Sequence, residues 1–147
     1  RPGGIAPMRY WDASAIVPLL VQEPRTNDSR TALAEDAGIV TWWGTQIECT
    51  SAIARLERAA SLTPRQASQA IEVLRALASG WNEILPVEAV RETACRLLRV
   101  HSLRAADAMQ LAAATIMAGG RTAQAEFLAF DDRLREAASR EGFLVGP

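Results

Sequence analysis

Short apolar runs and longer amphipathic segments take turns along this chain. Met8-Arg9-Tyr10-Trp11 reads as a strand ending at Asp12. Beyond it, Ala15-Ile16-Val17 through Leu19-Leu20-Val21 is an apolar helical segment that stops near the Glu23-Pro24 break. A polar amphipathic helix over Thr26–Glu35 leads to a second short strand, Gly38 to Trp42. Thr45 and Glu48 then match the capping-box pattern, ahead of an apolar stripe of Cys49, Ala52, Ile53, Leu56 and Ala60. Thr63, Pro64 and Gln66 open another helix in the same way, running to about Gly80. Together these two helices predict an αα-hairpin.

The second half repeats the alternation. Glu83-Ile84-Leu85 reads as a short strand, followed by a helix from about Val87 to Val100. A further helix spans Ala105 to Ala118 and is closed by Gly119-Gly120. Glu126 to Phe130 is a strand, Asp131 begins a helix, and Phe143-Leu144-Val145 is a last strand. The pattern predicts one α/β domain: a mainly parallel central sheet of four or five short strands with helices on both faces. The domain is expected over residues 8–147, with 1–7 as a leader or tag remnant and Met8 as a plausible start.

Composition narrows the setting. Nearly half of the 147 residues are apolar, enough for one sizeable core without disulfide staples. No run approaches a membrane span, and the two cysteines, Cys49 and Cys95, both read as buried thiols of a reducing compartment. The expected location is the cytoplasm. Every basic residue is arginine, which suits phosphate recognition but is also what a GC-rich genome produces. The net charge of −1 argues against a strongly electrostatic nucleic-acid binder, so any attraction to RNA must come from local arginines and bound metal.

In an open parallel sheet, ligands bind beyond the carboxyl ends of the strands. Asp12 and Asp131 directly follow predicted strands, Glu48 lies in the first turn after the strand ending at Trp42, and Asp107 starts a helix that could pack beside them. Each acid also has a purely structural use. Asp12, or Ser14 beside it, could cap a helix, and Glu48 could be the capping-box arm of Thr45. Asp107 could be an N-cap partnered by Gln110, and Asp131 or Asp132 could cap the next helix.

The structural use is weakest for Asp107, because its helix is apolar nearly all round and should be buried. An ionised carboxylate there costs on the order of several kcal/mol unless a positive group meets it, and the nearest cation in sequence is Arg104. A divalent metal shared among carboxylates would remove that cost. Hard ions such as Mg²⁺ or Mn²⁺ take oxygen ligands, polarise a phosphoryl oxygen and activate water for hydrolysis. Competing chemistries lack the parts. His101 is the sole histidine and reads as a helix-end residue, Cys49, Cys95 and His101 have no zinc-site spacing, and no Gly-rich phosphate loop is present.

At these residues the sequence resembles PIN domains, specifically the VapC-type toxins of bacterial toxin–antitoxin pairs. The similarity runs through Tyr10-Trp11-Asp12-Ala13-Ser14-Ala15, then Thr45-Gln46-Ile47-Glu48 with Ala52 and Arg55. It continues through His101 to Ala112 around Asp107, and Phe127 to Leu134 around Asp131. The resemblance implies that Asp12, Glu48, Asp107 and Asp131 hold Mg²⁺ or Mn²⁺, with Asp131 preferred over Asp132 because it follows the strand directly. It implies an endoribonuclease toxin, a small VapB-like antitoxin partner and a homodimer. Ser14, Arg55 and Arg58 are the expected substrate or antitoxin path, although a solvated helix face accounts for the two arginines equally well. The alternatives are an inactive PIN-like binding or assembly module and a nuclease acting on DNA. Receiver domains and haloacid-dehalogenase-type phosphatases share the acid layout but use a lysine, which this chain lacks.

Overall fold

Neighbouring residues of a strand face opposite sides of a sheet, and Tyr10 and Trp11 use that rule to start two cores. Tyr10 packs with Trp42, Leu97, Leu111, Phe127 and Leu134 on one side. Trp11 packs with Ile16, Ile39, Ile53, Leu74 and Trp81 on the other. The computed structural model describes residues 7–146, so the leader or tag remnant expected at 1–7 lies, Pro7 apart, outside the described residues.

In chain order the elements are β1 (Met8–Trp11), α1 (Ala13–Leu20), α2 (Thr26–Glu35), β2 (Val40–Trp42), α3 (Thr45–Arg58) and α4 (Pro64–Gly80). They continue with β3 (Asn82–Ile84), α5 (Glu88–Val100), α6 (Ala105–Ala118), β4 (Ala125–Leu128) and α7 (Asp132–Arg140). The four strands are all parallel, in the order β3-β2-β1-β4. Side chains of α1 to α4 fill the Trp11 core, and those of α5, α6 and α7 fill the Tyr10 core. Both faces of the sheet are therefore covered, as the alternating pattern requires. The chain runs outward from β1 to β2 and β3, then returns to the opposite side of β1 as β4. The reversal leaves a crevice at the carboxyl ends of β1 and β4.

Three local expectations are corrected. The last strand shrinks to a single parallel bridge between Leu144 and Glu126. Gly142 and Gly146 both adopt positive φ, 97° and 66°, so the chain turns on either side and leaves too short an extended run for a ladder. Thr45 and Glu48 form no capping box: Gly44 precedes the helix without a side-chain cap, and the Thr45 hydroxyl is 2.6 Å from that of Thr41 inside the core. The pattern does operate at α4, where Thr63 and Gln66 cap each other reciprocally. Cys95 is exposed rather than buried, because it faces away from the Val90–Ala94–Leu97 stripe of α5; Cys49 is buried.

Gly44 fixes how α3 starts. A Cβ placed there would sit 2.6–2.7 Å from the indole ring of Trp42, itself buried. Gly44→Ala is therefore expected to destabilise the protein by about 1–3 kcal/mol through forced displacement of that ring. Urea unfolding of the variant checks this, and an unchanged midpoint would show that the ring moves freely.

Candidate active site

Four helices, α1, α3, α6 and α7, begin around one cleft of about 850 Å³ at the carboxyl edge of the sheet, and Asp12, Glu48, Asp107 and Asp131 all line it. They arrive by different routes. Asp12 follows β1 and caps α1, its Oδ2 accepting from the backbone N–H of Ser14 at 3.0 Å and from the Ser14 hydroxyl. The Ser14 oxygen in turn accepts the Phe130 N–H at 2.9 Å, which pins the start of α1 to the end of β4. Asp131 caps α7, its Oδ1 accepting from Leu134 N–H at 2.9 Å. Asp107 is not the N-cap expected as one structural use. Arg104 holds that position, and Asp107 lies in the first turn, where it accepts from the Arg104 backbone N–H.

Glu48 is held from the interior by a residue whose local spacing suggests a different role. Gln110, a possible capping partner of Asp107 by its place in the sequence, is fully buried in the middle of the structure. Its Oε1 accepts from the Tyr10 hydroxyl at 2.6 Å, so its Nε2 is left to donate to Thr45 Oγ1 at 3.0 Å and Glu48 Oε2 at 2.8 Å. Thr41 continues the chain, bonding Thr45 and donating to the Trp11 carbonyl at 2.7 Å. Every member is satisfied, and the network ties β1, β2, α3 and α6 to the orientation of one carboxylate. The signal available in the sequence is an amide side chain that joins Asp107 and Thr115 as a polar residue of an otherwise apolar helix.

The cleft concentrates negative charge. Asp12 is 5 % exposed; burial, with Asp107 nearby and against the pull of the Ser14 hydrogen bonds, pushes its carboxyl up to about 6. Burial and the charges of Asp12 and Asp107 push Glu48 up to about 7 despite the Gln110 hydrogen bond. Burial and Asp131 raise Asp107, with Arg104 and Arg133 opposing. Among the described residues none of the four acids forms an ion pair, although paired carboxylates exist elsewhere, such as Glu126 with Arg9 and Glu141 with Arg96 and His101. His101 is the C-cap of α5.

Of the expected path residues, Ser14 and Arg55 line the cleft, and Arg58 is not among its walls. Asp132 lines the cleft too, but the cap geometry and the effect on Asp107 both belong to Asp131. Arg104 and Arg133 also line it, and nothing in their sequence context marks either for binding.

The sequence matches the family described as PIN domain over residues 9–139. The chain belongs to the PIN-domain family. PIN domains are generally metal-dependent nucleases that use divalent ions. No curated protein matches the sequence significantly.

The residues of this PIN domain suit such an ion chemically. The donors are all carboxylate oxygens, and Arg104 and Arg133 offset their repulsion only in part, at Asp107. Among the described residues no group of three or more His, Cys, Asp or Glu stands close enough to enclose a metal. An Mg²⁺-type site needs only one or two direct carboxylates, with water and substrate phosphate completing the shell.

The raised carboxyls make stability pH-dependent. A carboxyl with a folded pKa above its unfolded value leaves more protons on the native state, so stability falls as pH rises from about 4 through 6–7. In EDTA the unfolding midpoint is expected to drop by several degrees between pH 5 and pH 8. Mn²⁺ should recover most of the loss at pH 8 and little at pH 5, as read by circular dichroism. A midpoint indifferent to Mn²⁺ at pH 8 would contradict this electrostatic picture.

Proposed function

We propose that this PIN domain is a metal-dependent endoribonuclease that acts as the toxin of a toxin–antitoxin pair. The observation that carries the nuclease reading is the gathering of Asp12, Glu48 and Asp107 in one open cleft, where Asp107 raises Asp12, both raise Glu48, and no arginine forms an ion pair with any of them among the described residues. Asp12 and Asp107 are the first candidates to hold Mg²⁺ or Mn²⁺, with Glu48 and Asp131 completing the set. When bound, the ion supplies Lewis-acid polarisation of the phosphodiester and activation of water.

The protein's own groups do the remaining work. Ser14 keeps the Asp12 carboxylate turned by two hydrogen bonds, and Gln110 holds that of Glu48 from behind. Glu48, with its affinity for a proton raised toward neutrality, is suited to take a proton from attacking water. The N-termini of α1, α3, α6 and α7 point their positive ends at the cleft, which favours the anionic substrate as well as the acids. Arg55 borders the same cleft from α3 and is suited to a phosphate.

The toxin role and the RNA substrate rest on the motif resemblance, and the cytoplasmic setting rests on the composition of the chain. The same resemblance carries a VapB-like antitoxin covering the cleft and a homodimer. Apolar surface for such partners is present: Val87 and Leu98 are exposed on one apolar groove with Pro86 and Ala94, and Leu85 and Val100 are exposed as well.

Cleavage of a mixed RNA pool in Mn²⁺ tests the reading. Wild type is expected to cut, EDTA to stop it, and Asp12→Asn or Asp107→Asn to lower the rate at least about 100-fold with the circular dichroism spectrum unchanged. Undiminished cleavage by both variants, or cutting of DNA alone, would refute the proposal.

A further inference from the structure

The acid cleft does not end at the acids. Ser102 and Arg133 are shared walls between it and a second groove of about 270 Å³, which runs between the α5–α6 connection and one face of α7. Arg133, Glu136, Ala137 and Arg140 form that face at helical spacing, and Val100, His101 and Ser102 form the opposite side. Arg133, in the first turn of α7, stands at the junction, and Arg104, which precedes α6, lines the acid cleft two residues beyond the shared Ser102. Both are exposed, both act on Asp107 by charge, and among the described residues neither forms an ion pair. By contrast, the acids of the second groove already have partners: Glu136 pairs with Arg140, and Glu141 beside it pairs with Arg96 and His101.

This arrangement answers a difficulty. The protein carries a net charge of −1 and concentrates its buried acids where a polyanion would have to enter. A bound ion neutralises the reacting phosphate but not its neighbours along the strand. Two unpaired guanidiniums at the lip, opening onto a groove continuous with the cleft, stand where the next phosphates of an extended strand would lie. Their planar forks suit phosphate oxygens.

We propose that Arg104 and Arg133 form a phosphate subsite for single-stranded RNA, and that the strand leaves the acid cleft over Ser102 and Ala137 toward Arg140. The subsite rests on the nuclease reading above and specifies its substrate as an extended single strand held by its backbone. Such contacts carry no base preference; they set affinity and register beside the cut.

The test is fluorescence anisotropy with a short unstructured RNA in EDTA, where metal-dependent cutting stops, across 50 to 200 mM salt. The double variant Arg104→Ala/Arg133→Ala is expected to bind at least about fivefold more weakly. Its slope of log affinity against log salt should be shallower by roughly 1.4, about 0.7 for each phosphate that is no longer neutralised. Arg121→Ala, at the far end of α6, should match wild type in both respects. Both substituted arginines are exposed, so the circular dichroism spectrum of the folded protein should be unchanged. The subsite is overturned if the double variant keeps wild-type affinity and slope, if Arg121→Ala weakens binding as much, or if wild type shows no affinity for RNA in EDTA. Mn²⁺-dependent cleavage by the same wild-type preparation would leave the nuclease reading standing in each of those cases, and its absence would remove both.

Discussion

Uncompensated negative charge at the carboxyl edge of the sheet is the constraint around which this protein is organised. Asp12 and Glu48 are largely withdrawn from water, Asp107 is half-buried beside them, and the field of Asp131 reaches Asp107. Four helix N-termini offset part of the repulsion, at about 0.3–1 kcal/mol each. That is small against the several kcal/mol that withdrawing a carboxylate from water costs. The protonation equilibria of Asp12 and Glu48 shift toward neutrality as a result, and a doubly charged ion is the natural counterweight.

The fold is arranged to hold this unfavourable grouping in place. Strand order β3-β2-β1-β4 puts β1 between neighbours reached in opposite directions, so acids from the beginning, middle and end of the chain face one crevice. The Tyr10–Gln110–Thr45–Glu48 network then fixes the Glu48 carboxylate from behind. Ser14 does the same for Asp12 by bridging it to the Phe130 backbone. Rigid anchoring of this kind keeps like charges together where flexible side chains would move apart.

Much of this was legible in the sequence because period-2 and period-3.6 patterning report directly on burial. The alternation of strands and helices, the buried α6 and the capping box at Thr63 could be read locally. So could the positions of Asp12 and Asp131 after strands. Thr45 and Glu48 misled because tertiary partners took over a local motif: Thr45 bonds Thr41 in the core, and Glu48 accepts from Gln110. Gln110 itself could be read only as an odd residue in an apolar helix, since its three partners lie 62 to 100 positions away in the chain. The roles of Arg104 and Arg133 depend on which grooves join, and no spacing rule encodes that. The last strand failed at the chain's edge, where flanking glycines decide more than β-propensity does.

Anomalous diffraction from crystals soaked in Mn²⁺ measures most directly how the charge of the cleft is balanced. A manganese peak coordinated by Asp12 and Asp107, within reach of Glu48 and Asp131, is the predicted result. A cleft without manganese at saturating concentration, with an arginine side chain folded in against Asp12 and Asp107, would show that the charge is answered from within the protein and would contradict the account.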